Sequence, residues 1–235
     1  MTAEDGPRET MRRNMKYERI SPTILYSKLQ RAVASFLASP IRDRRILDRC
    51  KSELEAERDS AKTPRAAENA KYALQSLDAF ERSMNSLPVG GFTMSLPPIF
   101  APLVIEGVKV SVQPTVLIAV ARPRGKDLRG AALIDTAKGT VPKTDDASRR
   151  ATDAMTHAAY LIHELVAGSI AEDAARSSPE HCIVFHAHRP ELVVSPTNYR
   201  KPLKNVEAAC RDIAAAWNTI SPPPSFDPAL ARYRD

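Results

Sequence analysis

The chain has 235 residues, 43% of them hydrophobic and 26% charged, a globular balance that excludes disordered and collagen-like classes. Proline outnumbers glycine 19 to 8, which favours stiff loops and capped helices over the glycine loops that wrap phosphates. Lys and Arg total 34 against 28 Asp and Glu, giving a net charge of +6 and an isoelectric point near 9.3, a bias towards an anionic partner that names none by itself.

Residues 1–13 mix acids and bases without an apolar stretch, so neither a signal peptide nor a membrane anchor is expected there and a cytoplasmic location is. Ser21-Pro22 reads as a cap, and Ile24, Leu25, Leu29, Ala32, Val33, Phe36 and Leu37 follow at helical spacing. After the break at Ser39-Pro40, residues 41–58 carry many charges and read as an exposed helix or partly ordered arm. Thr63-Pro64 repeats the cap before a helix to about Ser86, with Ala70, Ala73, Leu74, Leu77, Phe80 and Met84 as its buried stripe.

Residues 87–102 are rich in proline and read as an irregular connection. Leu103–Glu106, Gly107 and Val108–Val112 suggest a tight hairpin or bent strand; Thr115–Ala121 and Gly130–Ala137 read as buried strands, with Arg122–Arg129 as the turn between them. Asp145 or Asp146 caps a long helix through Val166, with Ala151, Ala154, Met155, Ala158, Leu161, Ile162 and Leu165 facing inward. Strands at His181–Ala187 and Glu191–Ser195 follow, then a helix near Leu203–Ile220 and a proline-rich tail. The longest apolar run, Ile99–Ile105, contains Pro102 and falls far short of the ~20 residues of a membrane span. Cys50, Cys182 and Cys210 are odd in number and scattered, which points to buried free thiols.

The expected fold is α/β, a single domain with an αβββαβ core and a central mixed sheet flanked by helices, carrying extra N-terminal helices and a C-terminal helix. The order from residue 60 onward resembles the core of the PD-(D/E)XK nuclease superfamily, its exonuclease-like branch in particular. The resemblance covers roughly residues 60–195 and aligns Pro114-Thr115, Thr136-Ala137-Lys138 and Thr156-x-x-x-Tyr160 with the family's Pro-Asp, (Asp/Glu)-x-Lys and Gln-x-x-x-Tyr motifs. It divides the chain into a helical extension at 1–60, a restriction-endonuclease-like domain at 61–220 and a flexible tail at 221–235. Only Pro114, Lys138 and Tyr160 keep the expected type. Thr115 and Thr136 stand where the family holds Mg²⁺ with carboxylates, and a hydroxyl offers a neutral oxygen with no charge. The expectation is therefore a degenerate, catalytically silent module without cofactor.

A working nuclease is the alternative, with Asp135, Lys138 and Tyr160, and Glu106 beside them, around Mg²⁺. Alternation along the strand turns Asp135 away from Thr136 and Lys138 unless a bulge intervenes. A pure protein-interaction module is the third reading.

Asp153, His157, Tyr160 and Glu164 line one helix face and invite an acid–base reading, although polar borders of this kind are ordinary on amphipathic helices. His186 and His188 share strand parity, a spacing that can grip a metal, but Cys182 lies ~13 Å from His186 along a strand and cannot join them. Basic residues gather in Arg42, Arg44, Arg45, Arg49 and Lys51; in Arg122, Arg124, Lys126 and Arg129; and in Arg200, Lys201 and Lys204. The Arg122–Arg129 turn is the first choice for contact with DNA or RNA phosphates. No aromatic residue is interleaved with it to form a stacking platform. A protein partner is the other expectation, and a membrane is not.

Overall fold

The computed structural model describes residues 17–19, 26–88, 90–137, 142, 144–169, 175–222 and 231–233, and three helices precede its central sheet. Helix α1, Ser27–Ala38, buries Leu29, Val33, Phe36 and Leu37, one stripe at helical spacing. It stops at Ser39, which is extended, as a residue before proline prefers to be. The proposed cap at Ser21-Pro22 lies outside the described residues. Helix α2, Arg45–Asp59, is largely exposed, as one of the two expectations for this segment had it, but packs one narrow stripe, Leu47, Cys50 and Leu54. Three apolar positions suffice because Cys50 and Leu54 meet Ala73 and Leu74 of the next helix. That helix, α3, spans Pro64–Ser83; the Thr63 hydroxyl accepts from the Ala66 amide at 3.2 Å and Pro64 occupies a first-turn position that needs no amide donor. Phe80 of α3 meets Phe36 of α1 edge-on at 6.2 Å.

The central sheet has five strands in the order β2-β5-β6-β7-β8. They are β2 Thr93–Ser95, β5 Val116–Val120, β6 Asp127–Asp135, β7 Ala175–His186 and β8 Glu191–Val194. All neighbours are antiparallel except β6 and β7, which are parallel and joined through helix α4, Asp145–Ser169. Met94, Val116, Ile118, Ala132, Ile134, Ile183 and Phe185 pack with α1 and α3 on one side. Ala131, Cys182 and Val184 pack with Met155, Ala159, Ile162 and Val166 of α4 on the other. This is the expected α/β architecture, a mixed sheet between helices.

Two elements differ from expectation. The first sheet strand, β2, lies in the proline-rich stretch read as irregular, where three residues leave too short an alternation to see. The expected hairpin is present, as β3, Leu103–Ile105, and β4, Val108–Val110, but it forms a separate two-stranded sheet instead of a strand of the core sheet. Glu106 and Gly107 both have positive φ there, the conformation that suits a two-residue hairpin turn.

The chain resolves into two units, the larger comprising 25–102 and 111–203 and holding the central sheet. The smaller comprises 1–24, 103–110 and 204–235. It holds the β3–β4 hairpin, the pairing of β1, Tyr17–Arg19, with β9, Ala231–Tyr233, and most of helix α5, Arg200–Trp217. Within it Arg211 pairs with Glu106 at 3.2 Å. Among the described residues no helix is long and apolar enough to cross a membrane.

Candidate functional site

The central strand β6 separates two chemically different ends. Its eight residue steps place Asp127 and Asp135 roughly 26 Å apart along the strand.

At the carboxyl end, Asp135, His186 and Glu191 are in register across three adjacent strands. Asp135 Oδ1 accepts from the Ala137 amide at 2.9 Å, and Oδ2 lies 3.9 Å from His186 Nε2. His186 is 8% exposed, and its Nδ1 makes no hydrogen bond among the described residues. Burial pushes its imidazole below the ordinary histidine range, against the pull of Asp135 and with the repulsion of Arg189 and His188. The His186 and His188 rings lie edge to face at 6.2 Å, and His188 Nε2 is 3.0 Å from the buried Ser76 hydroxyl of α3. Glu191 accepts from the Thr152 hydroxyl of α4 and lies 3.4 Å from Arg189 Nε. Among the described residues, no three His, Cys, Asp or Glu side chains come together to hold a metal ion.

The residues aligned with the nuclease motifs divide between the two sheet faces. Thr115 shares the parity of Leu117 and Leu133, the α4 face, and its hydroxyl accepts from the Ile134 amide at 2.9 Å. Thr136 follows Ile134 on the opposite face, is 1% exposed, and its hydroxyl has no hydrogen bond among the described residues. The two threonines therefore do not share a face, and Asp135 is the residue that shares one with Thr115. Tyr160 is 2% exposed and stacks on Tyr199 at 6.1 Å. Lys138 lies outside the described residues. In the polar row on α4, Asp153 is exposed while Glu164 sits 3.9 Å from His163. Cys182 is fully buried, with its thiol pushed up to about 12, and so is inert at neutral pH.

The other end of β6 is basic. Arg122, Arg124 and Lys126 are exposed in a turn closed by the Arg122 amide donating to Asp127 Oδ1 at 3.1 Å, with Gly125 at φ +93°. None of the three has an ion-pair partner among the described residues. Arg129, expected in this turn, belongs to strand β6, which starts three residues earlier than its hydrophobic run because Asp127 and Arg129 alternate with buried Leu128 and Gly130.

The first basic cluster is different. Asp43 takes a forked pair of bonds from Arg45, which holds its carboxyl below the ordinary range, while Glu81 pairs with Arg44 at 3.5 Å and Asp78 with Lys51 at 3.6 Å. Arg44, Arg45 and Lys51 are paired with neighbouring carboxylates; Arg122, Arg124 and Lys126 form no ion pair among the described residues.

Two residues missed in the sequence complete the basic end. Between Arg129 and Ala131 the partner on β7 jumps from Ser177 to Cys182, so residues 178–181 bulge outward. A side chain at Gly130 would collide with the His181 carbonyl, so only glycine fits opposite this bulge. His181 Nδ1 lies 2.8 Å from the Ser178 hydroxyl, and the ring packs edge-on against Phe92 at 5.1 Å. Phe92 precedes β2 and packs on the same face as Val120, from which alternation carries on to Arg122. No local signal joins residues 92, 122 and 181; only the sheet order does.

No protein-family model matches the sequence, and no curated protein is similar to it.

Proposed function

We propose that this protein is a nucleic-acid-binding module with a PD-(D/E)XK-like α/β core that has lost its catalytic metal positions. It grips the phosphate backbone through the β5–β6 turn. The carrying observation is the contrast between the first two of the three basic clusters. Arg122, Arg124 and Lys126 are exposed and form no side-chain ion pair among the described residues, the turn's one carboxylate, Asp127, accepting from the Arg122 backbone amide, whereas Arg45, Arg44 and Lys51 pair with Asp43, Glu81 and Asp78. Exposed, unmatched guanidinium and ammonium groups are suited to phosphates and supply affinity without reading sequence.

The test is binding of the full chain to a labelled duplex of mixed sequence. Binding is expected to weaken steeply with salt, to be the same with Mg²⁺ or EDTA, and to fall in Arg122→Glu but not in Arg45→Ala. Salt-independent binding, or capture of a protein but not of the duplex, overturns this reading.

One observation favours a working nuclease as a second reading: Asp135 occupies the same sheet face as Thr115. In that reading Asp135 would hold Mg²⁺, which would polarise a phosphate and activate water, and Lys138 would be the accompanying cation rather than a ligand. The hydrogen bond that ties Asp135 Oδ1 to the Ala137 amide weighs towards the silent module.

A further inference from the structure

We propose that His181 is a second phosphate-binding group of the basic end, and that it takes up a proton when a phosphodiester settles against Arg122, so that nucleic-acid affinity rises on acidification. This rests on the reading that the β5–β6 turn holds the backbone.

The bulge that carries His181 is a built feature. Gly130 makes room for its carbonyl, Ser178 fixes Nδ1, and Phe92 fixes the plane of the ring. With Nδ1 spoken for, Nε2 is the nitrogen left for a ligand. The charged groups close enough to act on the ring are Arg122 from the turn and Glu180 from its own segment; Phe92, just before β2, and Gly130 of β6 adjoin it, neither of them titratable.

Burial and Arg122 hold the free imidazole below the ordinary histidine range, while Glu180 pulls it back only in part. The ring is therefore neutral near pH 7. A phosphodiester between Arg122 and His181 replaces the repulsion of one cation with the attraction of an anion, which favours the imidazolium. The proton comes from solvent and stays on the ring. Both nitrogens then donate, Nδ1 to the Ser178 hydroxyl and Nε2 to a phosphate oxygen, the second bond being charge-assisted. The phosphodiester and the arginines do not titrate in this range, so the linkage reports histidine alone.

The experiment measures duplex affinity at fixed ionic strength from about pH 7.5 to about pH 6. The wild-type chain gains about threefold or more in affinity over that range, and His181→Gln flattens the gain. His163→Gln, which alters another buried histidine, keeps it. His181→Lys, permanently charged, removes the pH response while binding more tightly than His181→Gln at neutral pH, which separates lost charge from misfolding. An unchanged gain in His181→Gln overturns the inference alone. Unchanged neutral-pH affinity in a variant carrying Arg122→Ala and Arg124→Ala overturns the reading beneath it as well.

Discussion

Gly130 and His181 face each other across the parallel pair β6–β7 so closely that the histidine carbonyl occupies the space a side chain on Gly130 would need. The obstacle is backbone, which has no rotamer to escape into. Gly130→Ala is expected to force the bulge open and to cost at least about 1–3 kcal/mol, the range for overpacking a tight site. A thermal melt reads this as a drop of several degrees. A melt equal to the wild type would mean that the bulge yields freely.

Acid should weaken the fold before the carboxylates titrate. Burial holds His163, His181 and His186 below the ordinary value of about 6.5, so the unfolded chain binds more protons as the pH falls past that value. Their contribution to stability is complete above about pH 6.5 and is lost as the pH drops towards the folded-state values. The melting temperature is expected to fall by a few degrees between about pH 7 and pH 5.5, and by less in His163→Gln. A melting temperature that rises over this interval would contradict the assignment.

The cysteines should resist modification. Cys50 is pushed up to about 11 and Cys182 to about 12 by burial, and Cys210 is raised as well by burial and by Glu106. A thiol reagent at mildly alkaline pH is expected to label none of them in the native chain and all three after denaturation. Stoichiometric labelling of Cys182 in the folded protein would be the contrary result.

Much of the helical framework was readable from local chemistry. Thr63-Pro64, the Leu29–Leu37 stripe and the run from Ala70 to Phe80 each carry their own cap or period. On α4 Met155, Ile162 and Leu165 are buried as expected, but Ala154 is exposed while Ala159, Tyr160 and Val166 are buried, because small alanines on either side of the stripe carry little signal of face. The β elements were harder. β2 is three residues long among prolines, and β7 hides its bulge behind Pro179, so its first half was missed. At the candidate site the basic turn was visible as a charge cluster, because Arg122, Arg124 and Lys126 are neighbours in sequence. Its lack of carboxylate partners was not, since ion pairing is settled by residues far along the chain. The Phe92–His181 pair beside it depends wholly on which strands are adjacent.

The two readings of Asp135 are separable by cleavage. The silent module predicts no cutting of single- or double-stranded DNA or RNA with Mg²⁺ or Mn²⁺, and duplex affinity in Asp135→Ala within about twofold of the wild type. Metal-dependent cutting that EDTA abolishes and Asp135→Ala removes would establish the nuclease reading instead.

The most direct test of the central claim is the slope of log affinity against log salt for a duplex of mixed sequence, compared between the full wild-type chain and a variant carrying Arg122→Ala, Arg124→Ala and Lys126→Ala. Each lost phosphate contact should reduce the steepness by about 0.9, so the triple variant is expected to bind more weakly with a slope shallower by roughly 2 to 3. Equal slopes, or a wild-type affinity that does not change with salt, would contradict phosphate recognition by this turn.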